Sequence, residues 1–353
     1  MPNIRNSTGA LACVGGLVLV ICIFQPAPNT PAPGHLWDNR KRSLPGDDLG
    51  DLLVRAGYIG VPFALTQAGI LDVTLRINGE SFVFFIDSGA TDTVLNRTVA
   101  ERLQLSRRPS GQTIAGAGGT SQELEKVVLE KVSLGGSDLR FEALLDDLSV
   151  TNRTEIERGL APHDGYLGME LLKRHRPLID YMSHRMFLRV PQSGRPEDPD
   201  EEPSPRYVDL LKKQGYIEVP FVSTKKGLAV IEAEANGERL RFLIDTGAMV
   251  CVVDEVVTRR LELPTDGGPT QLVRGNGGAE EAAQNHVIDK FVIGGIAVRL
   301  EAFSKDLKEI HAAFVDNGDR LVDGILGSNL LRHFTSVVDY SSGTLFLKVP
   351  EPK

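Results

Sequence analysis

Cysteine is scarce in these 353 residues: there are three, Cys13, Cys22 and Cys251, and the first two lie in an N-terminal apolar segment. Once that segment is set aside a single thiol remains, which excludes an intrachain disulfide. No histidine pairs with Cys251 in a recognisable motif, so it reads as a small buried hydrophobe rather than a nucleophile. The seven histidines lack H-E-x-x-H or any comparable ligand spacing and read as surface or locally bonded residues. Asp316-Asn317-Gly318-Asp319 opens like a calcium loop, yet Gly327 stands where its twelfth-position glutamate is required. The glycines lack the G-x-G-x-x-G spacing of a dinucleotide site, and Gly327-Ser328-Asn329 lacks the glycine frame of a nucleophile elbow. Neither metal nor cofactor is implied. A positive excess is missing too: with 39 Lys and Arg against 47 Asp and Glu the net charge is -8, which argues against a nucleic-acid partner.

Charge itself is missing between Arg5 and Asp38, and Ala10 to Phe24 is nearly all apolar. Fifteen residues fall short of the roughly 20 that a spanning helix needs and fit the roughly 7–15 of a secretory signal. The expectation is an export signal, with an uncleaved membrane anchor as the alternative, and a periplasmic or extracellular location for the folded part of the chain. Pro26 to Gly34 is a proline-rich spacer, so residues 1–50 contain no core.

What the chain does have is a repeat. Phe84-Phe85-Ile86-Asp87-Ser88-Gly89-Ala90 returns as Phe242-Leu243-Ile244-Asp245-Thr246-Gly247-Ala248 at an offset of 158. The match extends back to Asp51-Leu52-Leu53 with Asp209-Leu210-Leu211. After one inserted residue it runs forward through Asp164-Gly165-Tyr166-Leu167-Gly168 with Asp323-Gly324-Ile325-Leu326-Gly327, and through Asp180-Tyr181 with Asp339-Tyr340. This is a duplicated domain rather than a short-period solenoid. We divide the chain into 51–191 and 209–353, joined by an acidic, proline-rich linker at 192–208. With 41% apolar and 24% charged residues, both copies can bury cores.

Within each copy short β-rich runs alternate with turn signals, such as Leu71 to Ile77 before Asn78-Gly79 and Ile231 to Ala235 before Asn236-Gly237. Helix is expected only at 94–103, 154–160, 169–175, 254–261 and 328–334. The fold class is therefore all-β, each copy a small barrel.

A strand ending in Asp-Ser/Thr-Gly-Ala, a glycine-rich hairpin, a Gly-x-Leu-Gly turn entering a short helix and a final Asp-Tyr plus strand occur in that order in each copy. Each copy thus resembles a retropepsin-type aspartic protease domain. The resemblance implies two barrels in a pepsin-like pseudo-twofold arrangement and a dyad of Asp87 and Asp245. Ser88 and Thr246 would bond across it, with Gly89 and Gly247 beside the carboxylates. It also implies flaps around Ile114, Gly116, Gly118 and Gly119 and around Gly275, Gly277 and Gly278, closing over a peptide or protein substrate.

The chemistry explains the need for two copies. Hydrolysis without a metal or a nucleophilic side chain needs a base for water and an acid for the amide, and two adjacent carboxylates sharing one proton supply both. The two copies would act as a monomeric pseudo-dimer, or each would pair with its counterpart in a homodimer. A non-catalytic peptide-binding or scaffold protein on the same fold is the remaining reading. Asp180 and Asp339 read as structural turn residues. Substitution of Thr91-Asp92-Thr93 by Met249-Val250-Cys251 marks the second copy as diverged.

Overall fold

Asn-Gly turns and alternating apolar residues build the barrels. The computed structural model describes residues 13–14, 22–23, 49–115, 121–157, 160–190, 206–274 and 280–349. In it, strand Leu71–Ile77 turns into Glu80–Ile86, and Ala229–Ala235 into Glu238–Ile244. Asn78 and Gly79 have φ of 52° and 90°, Asn236 and Gly237 of 51° and 88°, the hand that matches the strands' own twist. Along the first strand Leu71, Val73, Leu75 and Ile77 are buried while Thr74 and Arg76 face solvent.

Each copy closes into a six-stranded barrel. In the first, Leu71–Ile77, Glu80–Ile86, Gly165–Leu167, Val94–Asn96, Ser137–Asp146 and Ser121–Leu134 succeed one another, and Arg76↔Ser133 and Ile77↔Val132 close the ring. In the second the order is Ala229–Ala235, Glu238–Ile244, Gly324–Leu326, Val252–Asp254, Ile296–Lys305 and Asn285–Ile293, closed by Glu234↔Val292 and Ala235↔Phe291. The all-β, two-barrel expectation is met.

The Asp-Gly-x-Leu-Gly motifs explain themselves in this setting. Asp164 Oδ2 accepts the N–H of Val83, and Asp323 Oδ2 that of Arg241, both at 2.9 Å, which registers the parallel strand pairs. A Cβ on Gly165 would lie 2.2 Å from the Val94 carbonyl oxygen, and one on Gly168 2.2 Å from that of Asp92. Only glycine allows that approach.

The two barrels are joined by a six-stranded antiparallel sheet ordered Tyr216–Ser223, Thr344–Lys348, Val337–Asp339, Leu178–Asp180, Arg185–Arg189, Tyr58–Pro62. At its centre Ile179 pairs with Val338, its own repeat equivalent, so the pseudo-twofold axis passes through that pair. Leu53, Leu178, Phe187, Tyr207, Leu211, Val337 and Phe346 form an apolar cluster on this sheet.

Helices Leu49–Arg55 and Arg206–Lys213 supply part of that cluster, and neither is foreseen in the sequence reading. The first begins two residues before the expected start at 51, the second inside the stretch read as linker. The expected helix at 94–103 is a strand over Val94–Asn96 and a helix only over Arg97–Arg102, because Asn96 caps it by accepting the N–H of Thr98 at 3.3 Å. Helix Ser149–Glu157 starts earlier than expected, and its repeat partner Lys308–Asp316 is an addition to the expected set.

Of the N-terminal apolar segment, Cys13–Val14 pairs with Thr113–Ile114 and Cys22–Ile23 with Val273–Arg274. The rest of it, and linker residues 192–205, lie outside the described residues. No helix among the described residues is long and apolar enough to cross a membrane.

Candidate active site

Strand Glu80–Ile86 delivers Asp87 to the pseudo-twofold axis, and Glu238–Ile244 delivers Asp245. Both carboxylates are fully buried. The turn after each strand folds back to satisfy one oxygen. Gly89 and Ala90 donate their N–H groups to Asp87 Oδ1, both at 3.0 Å, and Gly247 and Ala248 donate theirs to Asp245 Oδ1 at 2.8 and 3.2 Å.

The halves are locked by reciprocal bonds. Ser88 N–H donates to Thr246 Oγ1 at 3.1 Å, and Thr246 N–H donates to Ser88 Oγ at 3.0 Å. The Ser88 hydroxyl donates to the Ile244 carbonyl at 3.1 Å and the Thr246 hydroxyl to the Ile86 carbonyl at 2.7 Å. The N–H and hydroxyl groups of Ser88 and Thr246 are all paired in this way, as burial demands. The carboxylates meet just above. A Cβ on Gly89 would fall 2.4 Å from Asp245 Cγ, and one on Gly247 would fall 2.6 Å from Asp87 Oδ1.

Two glycines beneath one another's carboxylates, with hydroxyls bonded crosswise, give each half the same pattern, and the family comparison agrees. The family profile described as aspartyl protease matches residues 73–171 and 231–330, one segment in each barrel. The chain belongs to the aspartyl protease family.

Relatives of the chain are distant. Protein DDI1 homolog 1 of Bos taurus is 30% identical over 124 residues, 34% of this chain and 28% of that protein. Protein DDI1 homolog 2 of Mus musculus is 31% identical over 124 residues, 34% and 27% of the two chains. DNA damage-inducible protein 1 of Kluyveromyces lactis is 28% identical over 145 residues, 40% and 31%. The chain spans less than a third of the length of each of these relatives. Among solved structures, a retropepsin-like aspartic protease from Rickettsia conorii matches 38% of this chain and 90% of its own, with 19% identity and a TM-score of 0.25.

Burial raises both carboxyls well above the usual carboxylate range, and for Asp87 the charge of Asp245 adds to it. Neutral forms are thus favoured in the folded state. A carboxyl whose pKa is raised on folding contributes stability that is fully present below its unfolded value, near 3.8, and lost as pH climbs through its folded one, about 7 for Asp245. Asp245→Asn removes a titrating group from the pair and keeps an acceptor for Gly247 and Ala248. The variant should melt higher than the parent at pH 8, with the gap closing below pH ~4. A gap independent of pH in thermal melts would contradict the raised carboxyls.

Tyr181 and Tyr340, from the two Asp-Tyr motifs, have hydroxyls pushed up chiefly by burial; the Ser328 and Ser88 hydroxyls oppose this, and the charge of Asp245 adds to the rise in both, that of Asp87 in Tyr340. The Tyr181 hydroxyl bonds Ser328 Oγ at 3.2 Å, and Ser328 donates to the Gly69 carbonyl at 2.5 Å, a further tie between barrels. Sequence reading passes over these tyrosines, although their repetition before the final strand of each copy is the available signal. The aspartates before them serve turns: Asp180 Oδ1 accepts the N–H of Met182 and Asp339 Oδ1 that of Ser341, both at 2.8 Å.

Cys251 is buried, and burial pushes its thiol up to about 12, which leaves no thiolate for attack. It is more than a small hydrophobe. Its sulfur accepts the Gly327 N–H at 3.4 Å, the bond that Thr93 Oγ1 makes to Gly168 N–H at 3.1 Å in the first copy, and it donates to Asn329 Oδ1 at 3.2 Å. Cysteine here takes the part of threonine.

Ile114 and Val273 lie on flap strands Arg107–Ala115 and Gln271–Arg274. Gly116, Gly118, Gly119, Gly275, Gly277 and Gly278, expected at the flap tips, lie outside the described residues. His163, expected at the surface or locally bonded, takes the bonded form with one local and one distant partner. It is buried, with Nε2 2.8 Å from Asp72 Oδ1 and Nδ1 2.9 Å from Glu155 Oε2.

Proposed function

We propose that the chain is an exported aspartic endopeptidase in which Asp87 and Asp245 of one molecule act on one peptide bond. The observation that carries this reading is the mutual placement of Gly89 beneath Asp245 and Gly247 beneath Asp87 within a single chain. A buried pair of carboxyls with raised affinity for protons holds one between them. The ionised member takes a proton from a water molecule as it attacks the scissile carbonyl, and the protonated member delivers its own to the departing nitrogen. The two roles belong to the pair, which titrates as a unit. Reciprocal Ser88 and Thr246 bonds keep the two turns in register, so both carboxyls meet the same bond.

Asp87→Asn and Asp245→Asn should each lower cleavage of a denatured protein at mildly acidic pH by a factor on the order of 10²–10⁴. The purified chain should also be silenced by a hydroxyl-bearing mimic of the tetrahedral intermediate. A single mutant that keeps half the parental rate would sink the shared dyad.

A further inference from the structure

We infer that the two walls of the cleft differ in charge, so that substrate binds in one direction, a lysine or arginine side chain against Asp92 and an apolar side chain against Val250. The nature of the ligand rests on the peptidase reading; the difference between the walls does not.

Asp92 lies five residues beyond the dyad aspartate and is half-buried. Its Oδ1 accepts from Nε2 of Gln112, on the flap strand, at 3.4 Å, and its Oδ2 from the Thr91 hydroxyl at 2.7 Å. A carboxylate tied both to the dyad loop and to the flap strand stands on the wall between them, and on the peptidase reading an extended peptide lies against that wall. Among the described residues both its partners are neutral and it has no ion pair. The cations nearby are engaged elsewhere: Arg174 with Glu170 at 3.6 Å, Lys126 with Glu142 at 2.8 Å, and Arg108 with Glu142. Glu170 senses Asp92: burial first raises its carboxyl, Arg174 opposes this, and the Asp92 charge adds to the rise. This wall therefore presents a carboxylate with no ion pair of its own among the described residues.

The repeat puts Val250 where Asp92 stands and Asn329 where Glu170 stands. Met249, in place of Thr91, packs with Val250, Ile70 and Ala68 in an apolar cluster that crosses between the barrels. Gln271 is the counterpart of Gln112, and Val250 offers its Nε2 no carboxylate to donate to, unlike Asp92 in the first copy. Asn329 is turned inward as acceptor for Cys251. Two identical halves would present the same wall on both sides of the scissile bond and could not distinguish the two directions of a peptide. These halves can, and a basic side chain gains on one side only.

The test uses the full chain and a mixed-sequence peptide library, read by mass spectrometry of the cleavage products, with fluorescence anisotropy of a lysine-containing and a norleucine-containing peptide as a parallel binding measurement. The parent should enrich Lys and Arg at one fixed position on one side of the cut, and Leu, Phe or Val at the mirror position, by on the order of tenfold, about 1.4 kcal/mol. The preference should shrink as ionic strength rises. Asp92→Val should remove the basic preference and still cleave apolar peptides; Val250→Asp should create a second basic preference at the mirror position. Equal use of basic residues on both sides, or a basic preference that survives Asp92→Val, would overturn the inference. If the parent binds the lysine peptide better in an Asp92-dependent way and cleaves nothing, the inference stands and the peptidase reading falls. Absence of both binding and cleavage overturns the inference.

Discussion

If the chain hydrolyses peptides as proposed, alanine at Gly89 should abolish that activity and leave both barrels folded. Gly89 is not at positive φ, so its backbone accepts any L residue without strain. What the added methyl meets is Asp245, 2.4 Å from both Cγ and Oδ2, well inside any contact real Cβ atoms make. Gly89 belongs to a turn whose N–H bonds Asp87 and whose neighbour Ser88 is locked to Thr246, so the backbone cannot retreat without breaking the crossing. The Asp245 carboxylate has to move instead, and it moves away from Asp87. Displacing one reacting group by about 1 Å costs on the order of 10²-fold, and disabling the acid–base pair 10²–10⁴-fold. Overpacking should cost about 1–3 kcal/mol of stability, which leaves a folded protein. Gly247→Ala should do the same through Asp87, with contacts of 2.6 and 2.7 Å. The measurement is kcat on a denatured substrate, with circular dichroism to show that the fold is intact. A folded Gly89→Ala variant with more than a tenth of parental activity would show that the two turns do not interlock as described.

Those glycines show why much of the site is legible in the sequence. Asp-Ser/Thr-Gly is an ordinary turn when met once, but its return at a fixed offset, with Gly-x-Leu-Gly and Asp-Tyr after it each time, requires two equivalent turns. A pseudo-twofold brings equivalent residues together at its axis. Asn-Gly turns are equally plain, since the dipeptide itself determines the backbone hand. What escapes reading depends on contacts between positions far apart. The helices Leu49–Arg55 and Arg206–Lys213 are short, and they are held by the interdomain sheet rather than by a strong local pattern. The bond from Gly327 to Cys251 spans 76 positions and looks in sequence like a lost threonine. His163 escapes for the same reason: its carboxylate partners lie 91 and 8 positions away, and the second copy has no such group.

Removing His163 should damage the first barrel far more than removing the whole charged cluster around it. His163, Asp72 and Glu155 are 5%, 14% and 8% exposed as side chains, and the imidazole bridges both carboxylates with its edge against Phe85, ring centroids 5.0 Å apart. Burial lowers the affinity of the ring for its proton, but hydrogen bonds to Asp72 and Glu155 and their charges outweigh it and hold the pKa at about 9. The cluster therefore contains an imidazolium between two carboxylates at neutral pH. His163→Ala strips the cation and leaves two buried negative groups, at a cost of about 3–5 kcal/mol. The second copy shows the alternative solution: Val230, Val322 and Phe314 occupy the three equivalent positions, all buried. Copying it as Asp72→Val, His163→Val and Glu155→Phe should be close to neutral or stabilise by about 1–4 kcal/mol, since an apolar cluster avoids desolvating three charges. The pH dependence separates the two designs. A histidine whose pKa is raised on folding stabilises fully below its unfolded value, near 6.5, and that contribution is lost as pH rises through about 9. Parent stability should accordingly fall between pH 7 and pH 10 more than that of the triple variant in denaturant titrations. Equal slopes, or a single mutant as stable as the parent at pH 7, would mean that the first copy does not hold its floor against Phe85 by this charged bridge.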